Sequence, residues 1–229
     1  MTPQADLERA RFNLIEQQIR PWDVLDLDIL DLLGRMRRED FVPPAHQALA
    51  FVDMLIPLGT SAEESMRSGQ CMLEPKVEAR MLQDLQVQPT DKVLEVGAGS
   101  GYMAALLAAR AQRVISLEIA PELVKMARDN LQRAGVRNAE VREADGAKGL
   151  AAEGPFDVIV LSGSVAEVPQ ALLSQLKVGG RLGAVVGSEP MMRATFIRRT
   201  GEAAWKTEQP WDTVAPRLAH FPEPTRFHF

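Results

Sequence analysis

The apolar positions of this chain change period twice along its length, and the changes mark out its organisation. Between residues 6 and 36 they recur at helical spacing, with Phe12, Ile15 and Ile19 in one stripe and Ile29, Leu32, Leu33 and Met36 in another. The spacing predicts two short helices, the first ending at Arg20-Pro21 because the residue before a proline is disfavoured in the helical region. Residues 37–75 carry no period and are interrupted by Pro43, Pro44, Pro57, Gly59, Gly69 and Pro75. Within them the polar run over residues 60–68 predicts a mobile surface loop, of a length more often functional than accidental. Val77, Met81 and Leu85 then predict a third helix running to Pro89.

From residue 91 the pattern becomes strand and helix in alternation: 92–96 extended, 101–110 helical, 113–118 extended, 121–134 helical. Pro121 suits a first helical turn and Gly135 a C-terminal cap, so the last of these helices is bounded at both ends. Residues 138–142, 156–161 and 181–186 supply three more short β-branched runs, with a helical stretch at 167–176. Such alternation predicts an α/β protein, doubly wound, with a mostly parallel sheet that binds ligands at the C-terminal ends of its strands. Residues 1–88 are expected to form N-terminal helices and a substrate or lid region. Residues 89–229 are expected to form the binding core, within one structural unit.

Composition narrows the chemistry. The chain has 229 residues, 46% hydrophobic and 25% charged, enough to bury a core without a disulfide or metal staple. One cysteine, Cys71, excludes an internal disulfide and a cysteine-cluster zinc site. His46, His220 and His228 are scattered, which argues against a histidine-rich metal centre or a Cys–His nucleophile pair, so no metal is expected. Twenty-six Lys and Arg against 31 Asp and Glu leave a net charge of −5, the opposite of the basic footprint of nucleic-acid binding. The first residues hold no basic stretch followed by an apolar run, and nowhere do about 18 uncharged apolar residues follow one another. A cytoplasmic protein with neither membrane nor nucleic acid as partner is expected. The sequence fixes no oligomeric state.

The most informative stretch is Val93-Leu94-Glu95-Val96-Gly97-Ala98-Gly99-Ser100-Gly101-Tyr102, a buried strand followed by three glycines at alternate positions and a helix. Glycines there allow a tight turn and a close approach of ligand to backbone. A dinucleotide site would space them G-x-G-x-x-G; here the third comes one residue early, and no phosphate-binding lysine follows. Glu118, followed by Ile119, closes the second core strand, where a carboxylate can accept hydrogen bonds from both hydroxyls of a ribose. Asp145-Gly146 stands just past the next strand, within reach of an adenine amino group. With Glu95, three acids at consecutive strand ends surround a glycine loop that has no basic residue. That suits a cationic nucleoside, repels a pyrophosphate and matches S-adenosyl-L-methionine. The candidate cofactor-binding residues are Glu95, Gly97, Ala98, Gly99, Ser100, Gly101, Tyr102, Glu118, Ile119, Asp145, Gly146 and Ser162. Singly, Glu118 or Asp145 could be a solvated residue or a helix cap; the order and spacing of the set point to a ligand. Ser162 and Ser164 follow the fourth core strand as candidate substrate contacts, or as caps of the next helix.

The glycine motif, Glu118, Ala144-Asp145-Gly146, Pro155-Phe156-Asp157 and Val178-Gly179-Gly180-Arg181-Leu182 together resemble the class I S-adenosylmethionine-dependent methyltransferases. That resemblance implies a seven-stranded Rossmann-like sheet. It narrows to the protein L-isoaspartate O-methyltransferases through Gln17-Gln18-Ile19-Arg20, Arg38-Glu39-Asp40-Phe41-Val42-Pro43, Leu55-Ile56-Pro57-Leu58-Gly59 and Trp211-Asp212-Thr213-Val214-Ala215-Pro216-Arg217-Leu218. The implied activity is methyl esterification of isoaspartyl residues in damaged proteins, a first step of repair, with a protein or peptide as partner. The family's substrate loop reads roughly G-Q-T-I-S-Q-P, and its serine is held to hydrogen-bond the substrate carboxylate. Here the stretch is Gly69-Gln70-Cys71-Met72-Leu73-Glu74-Pro75, with Leu73 at the serine and Glu74 at the second glutamine, after a longer loop from Gly59.

Methyl transfer from a sulfonium is an in-line displacement, and a carboxylate with a pKa of about 4 is already deprotonated at neutral pH, so alignment rather than a general base is required. Leucine cannot donate to that carboxylate, a loss of about 1.5–3 kcal/mol. An inward-pointing, ionised Glu74 would repel it. Three readings stay open: the family activity with Ser68, Gln70 or a backbone N–H replacing the serine; a methyltransferase with a non-carboxylate acceptor, which Glu74 binds or deprotonates; or a cofactor-binding homologue without catalysis. No catalytic residue is assigned; the candidate substrate loop holds Ser68, Gln70, Leu73 and Glu74. Cys71, with no histidine or basic cluster nearby, is expected to be a packed thiol. Trp205 and Trp211 are expected to pack, and Met191-Met192 to fill core.

Overall fold

In the computed structural model, which describes residues 3–223, helix α1 (Pro3–Leu14) runs into a wide π turn (Ile15–Ile19) and a tighter 3-10 turn (Arg20–Trp22). His228 lies outside the described residues. The expected stop at Arg20-Pro21 is not one: Arg20 keeps helical angles (φ −54°, ψ −42°), and the chain turns away only at Asp23, at φ 65°. A proline ring clashes with the carbonyl four residues back and gives it no N–H. The π turn, in which Arg20 N–H reaches Ile15 O, opens the helix where that clash would fall. Ile15 and Ile19 are buried, whereas Phe12 is 61% exposed and Leu14 packs in its stead. Helix α2 (Leu27–Arg35) starts on Asp26, whose carboxylate accepts from the N–H groups of Asp28 and Ile29.

The expected mobile loop at 60–68 is instead a short helix, α3 (Ala62–Ser68), set between the antiparallel strands β1 (Ile56–Pro57) and β2 (Cys71–Met72). Ser61 and Glu64 have the spacing of a capping box, and the Glu64 N–H donates to Ser61 Oγ at 3.2 Å. At the other end Gly69 turns left-handed at φ 77°, and Gln70 N–H donates back to Ser65 O at 3.0 Å. Helix α4 (Pro75–Leu85) follows with proline in its first turn.

Beyond it lies one seven-stranded sheet: β3 (Lys92–Val96), β4 (Arg113–Glu118), β5 (Ala139–Glu143), β6 (Phe156–Val165), β7 (Leu176–Ser188), β8 (Met191–Gly201) and β9 (Ala204–Asp212). Its order is β5-β4-β3-β6-β7-β8-β9, parallel from β5 through β7 and antiparallel in the closing β7-β8-β9 meander. Helices α5 (Tyr102–Ala108) and α6 (Pro121–Arg133) connect the first strands. The helix expected over 167–176 shrinks to α7 (Gln170–Leu173), because Pro169 opens it and Leu176 already pairs with Phe156 as the start of β7.

Alternation along each strand sends side chains to two cores. Val93 and Val114 face the larger one with Leu14, Ile19, Leu33, Phe41 and Leu107; Leu94, Val96 and Ile115 face the other with Phe156, Leu172 and Phe221. The N-terminal helices therefore share a core with the sheet. Among the described residues no helix is long and apolar enough to cross a membrane.

Candidate functional site

A cleft of about 300 Å³ opens at the C-terminal ends of the strands. Its wall takes Val96, Gly97 and Gly99 from the turn after β3, Glu118, Ile119 and Ala120 from the end of β4, and Asp145 and Gly146 from beyond β5. Ser162 of β6, residues 68–71 and the segment with Arg217, Leu218 and Phe221 complete it. Glu118 organises the glycine turn. Its Oε2 accepts from Gly99 N–H at 2.9 Å, and its Oε1 from Ile119 and Ala120 N–H at 2.8 and 3.0 Å. A carboxylate oxygen takes two such bonds, so Oε2 keeps one acceptor position. Gly97 sits at φ 92°, a conformation that favours glycine, and a Cβ there would lie 2.9 Å from Leu218 Cδ2, so Leu218 would have to shift as well. Asp145 caps the 3-10 turn Gly146–Lys148 through Ala147 N–H (3.0 Å) and meets His220 Nδ1 at 2.9 Å. These two contacts, the backbone bond first, hold its carboxyl below the usual range.

Five expected cofactor residues do not reach the wall. Glu95 is fully buried, since alternation along β3 turns it away from the face that carries Val96. It accepts from the hydroxyls of Ser116 and Ser162, the latter at 2.7 Å, so it orients the wall residue Ser162 from behind. Burial pushes its carboxyl up to about 7. Ala98 lies under the turn, and Gly101 packs on Ala127 of α6. The Ser100 carbonyl accepts from Asn130 Nδ2 at 2.8 Å. Tyr102 is buried edge-on to Phe41, with ring centroids 5.3 Å apart and the Arg38 guanidinium over its ring. Ser164 is also fully buried and off the wall, bridged by main chain to Arg217.

The family model described as Protein-L-isoaspartate(D-aspartate) O-methyltransferase matches residues 9–214, nearly the whole described chain. This chain belongs to the protein-L-isoaspartate O-methyltransferase family. A protein-L-isoaspartate O-methyltransferase of Koribacter versatilis (strain Ellin345) is 39% identical over 193 residues, covering 84% of this chain and 82% of the relative. One of Methanoculleus marisnigri is 40% identical over 179 residues, 78% of each. Among solved structures, a protein-L-isoaspartate O-methyltransferase superposes with TM-score 0.76 at 23% identity, over 91% of this chain and 66% of that one. A Plasmodium falciparum structure of the same description, in complex with S-adenosyl-L-homocysteine, gives TM-score 0.72 at 19% identity over 90% and 97%. These two likenesses establish the fold, the mostly parallel seven-stranded sheet expected from the resemblance.

The departures from the isoaspartate methyltransferase loop lie outside the cleft. Leu73 packs its side chain on the hydrophobic core, and its carbonyl accepts from Arg38 Nη2 at 2.9 Å. Glu74 is not inward-pointing: it pairs with Lys76 at 3.1 Å, itself 2.8 Å from Asp53, and faces a separate groove with Trp22. The polar side chains that do reach the wall from this side are Ser68, Gln70, Cys71 and Arg217. Ser68 Oγ donates to Ser65 O at 3.3 Å and Gln70 Nε2 to Glu122 Oε1 at 3.3 Å. Burial pushes the Cys71 thiol up to about 11, so it stays protonated and unreactive at neutral pH. Trp211 packs, its Nε1 donating to Asp84 at 2.8 Å. Met192 is buried, but Met191 is 82% exposed, against the expectation that both fill core. Sequence reasoning missed Arg217, Leu218 and Phe221 as wall residues. The motif holding Arg217 and Leu218 was visible, but no spacing ties it to the distant glycine turn.

Proposed function

We propose that this chain transfers the methyl group of S-adenosyl-L-methionine to the carboxylate of isoaspartyl residues in proteins or peptides. The observation that carries the reading is the distribution of charge in the cleft. Glu118 and Asp145 lie around one part, apolar Val96, Leu117, Leu123 and Phe221 line it, and the one cationic wall residue among the described residues, Arg217, packs against Gly69 of the substrate loop. That donor set suits a cationic nucleoside and offers no cradle for a pyrophosphate. When bound, the cofactor supplies an electrophilic methyl on a good leaving group.

Glu118, whose Oε2 has one acceptor position left, would hold the ribose, and Asp145 would stand on the side of the base. Ser162, fixed by Glu95, and the turn at Gly97 and Gly99 would border the sulfonium end. On the acceptor side, Ser68 and Gln70 are polar wall residues, whereas Leu73 lies outside the cleft. Glu74 is paired with Lys76 and faces a separate groove, so its charge does not stand in the cleft beside a substrate carboxylate. That removes the reason for preferring a non-carboxylate acceptor.

The test is an assay with methyl-labelled cofactor and a pair of peptides differing only in isoaspartyl against aspartyl linkage. Label is expected in a base-labile ester on the isoaspartyl peptide alone. Tight cofactor binding without transfer to that peptide overturns the reading.

A further inference from the structure

Arg217 stands in the walls of two cavities at once. It lines the strand-end cleft and also an adjoining groove of about 500 Å³ that runs past Met66, Arg67, Glu189 and Met192. Ser68, Gly69, Leu218 and Ala219 are shared by both walls, so the two spaces meet at this residue. A carboxylate carried by a protein acceptor has to pass from the surface to the reacting methyl, and this junction joins a surface groove to the cleft.

The main chain holds Arg217 firmly in that place. Ser164 N–H donates to Pro216 O at 2.7 Å and Leu218 N–H to Ser164 O at 2.9 Å, which staples the segment to the end of β6. On its other side a Cβ on Gly69 would lie 3.0 Å from Arg217 O, so the segment abuts the substrate loop directly. The guanidinium is only partly used. Nη2 donates to Gly187 O at 2.9 Å with Ser188 Oγ at 3.4 Å, while Nη1 is buried and donates to nothing. Nε is paired at 2.9 Å with Glu223, whose carboxylate is 53% exposed. Water screens such a half-exposed pair, so it is weak and exchangeable. Glu223 thus shows that Nε takes a carboxylate oxygen, and that the present occupant is held loosely.

We infer that Arg217 receives the acceptor's carboxylate, displacing Glu223, and so fills the role that the leucine at position 73 cannot. The inference rests on the proposed activity and adds to it the residue that recognises the substrate. A charge-assisted bond from Nε is stronger than one from a neutral hydroxyl. Within the groove Arg67 reinforces the attraction, and Glu189 opposes it.

The test compares wild type, Arg217→Met, Arg217→Lys and Glu223→Gln in steady-state methylation of an isoaspartyl peptide, with cofactor binding followed separately by calorimetry. Arg217→Met is expected to raise the peptide KM by at least about tenfold, the effect of one lost charge-assisted hydrogen bond, while cofactor affinity holds. Arg217→Lys is expected to recover part of the loss. Glu223→Gln is expected to lower the peptide KM, because the competing carboxylate is gone; a merely structural ion pair would not give that sign. An active Arg217→Met enzyme with unchanged peptide KM overturns the inference. If Arg217→Met does not fold, Glu223→Gln decides, and an unchanged or raised KM overturns it. Wild-type protein that binds cofactor and methylates no isoaspartyl peptide overturns the proposed acceptor and this assignment together.

Discussion

Glu95 is a carboxyl held inside the sheet by two serine hydroxyls, and its burial has a thermodynamic sign. Its folded pKa of about 7 lies above the ordinary carboxyl value, so the folded state holds the proton more tightly than the unfolded chain. The stability this contributes is fully present below the ordinary value and is lost as pH rises through about 7. Glu95→Gln keeps the shape without the titration. Its melting temperature is expected to match wild type at pH 5 and to exceed it by about 3 °C or more at pH 8.5. Equal differences at both pH values in thermal scans would sink the assignment. Glu78, pushed up to about 8 mainly by burial, behaves in the same direction, but Arg38 lies 3.8 Å away. Neutralising Glu78 would strand a buried cation, so Glu95 gives the cleaner experiment.

At the scale of elements, legibility followed solvation. Strands β3, β4 and the core of β6 are buried on both faces and read as continuous apolar runs, and α6 is bracketed by Pro121 and Gly135. Strands β8 and β9 escaped notice because an antiparallel strand with one wet face has no such run: Arg193, Arg198 and Arg199 interleave with Ala194 and Ile197. Helix α3 looked like loop because its residues are polar, although Ser61 and Glu64 carried its start signal. In the site, Glu118 and Asp145 were legible as wall residues because one ends a strand and the other stands just past one. Glu95 was misplaced because a strand's end gives position along the sheet, while the facing depends on a register of one residue. Leu73 shows the converse limit, since a motif alignment gives its position in the loop but not that its side chain packs on the core. Leu73→Ser is therefore expected to destabilise the protein by about 1–3 kcal/mol in denaturant titrations without a tenfold gain in methyl transfer. A large gain at unchanged stability would mean that the side chain faces the acceptor.

For the molecule as a whole, Leu14, Ile19, Leu33 and Phe41 pack in the same core as Val93, Leu107 and Val114. Helices that share a core with the sheet are expected to unfold with it. Tryptophan fluorescence, reporting Trp22 in the first part and Trp205 and Trp211 near β9, is expected to trace the same transition as far-ultraviolet circular dichroism. Two separated transitions would show that the N-terminal helices form an independent unit. One part of the cleft wall has a different standing, because Arg217, Leu218 and Phe221 come after every described strand. A ligand that touches both the glycine turn and residues 217–221 would favour molecules in which that segment is docked, so occupancy would protect a stretch that lies outside every described strand.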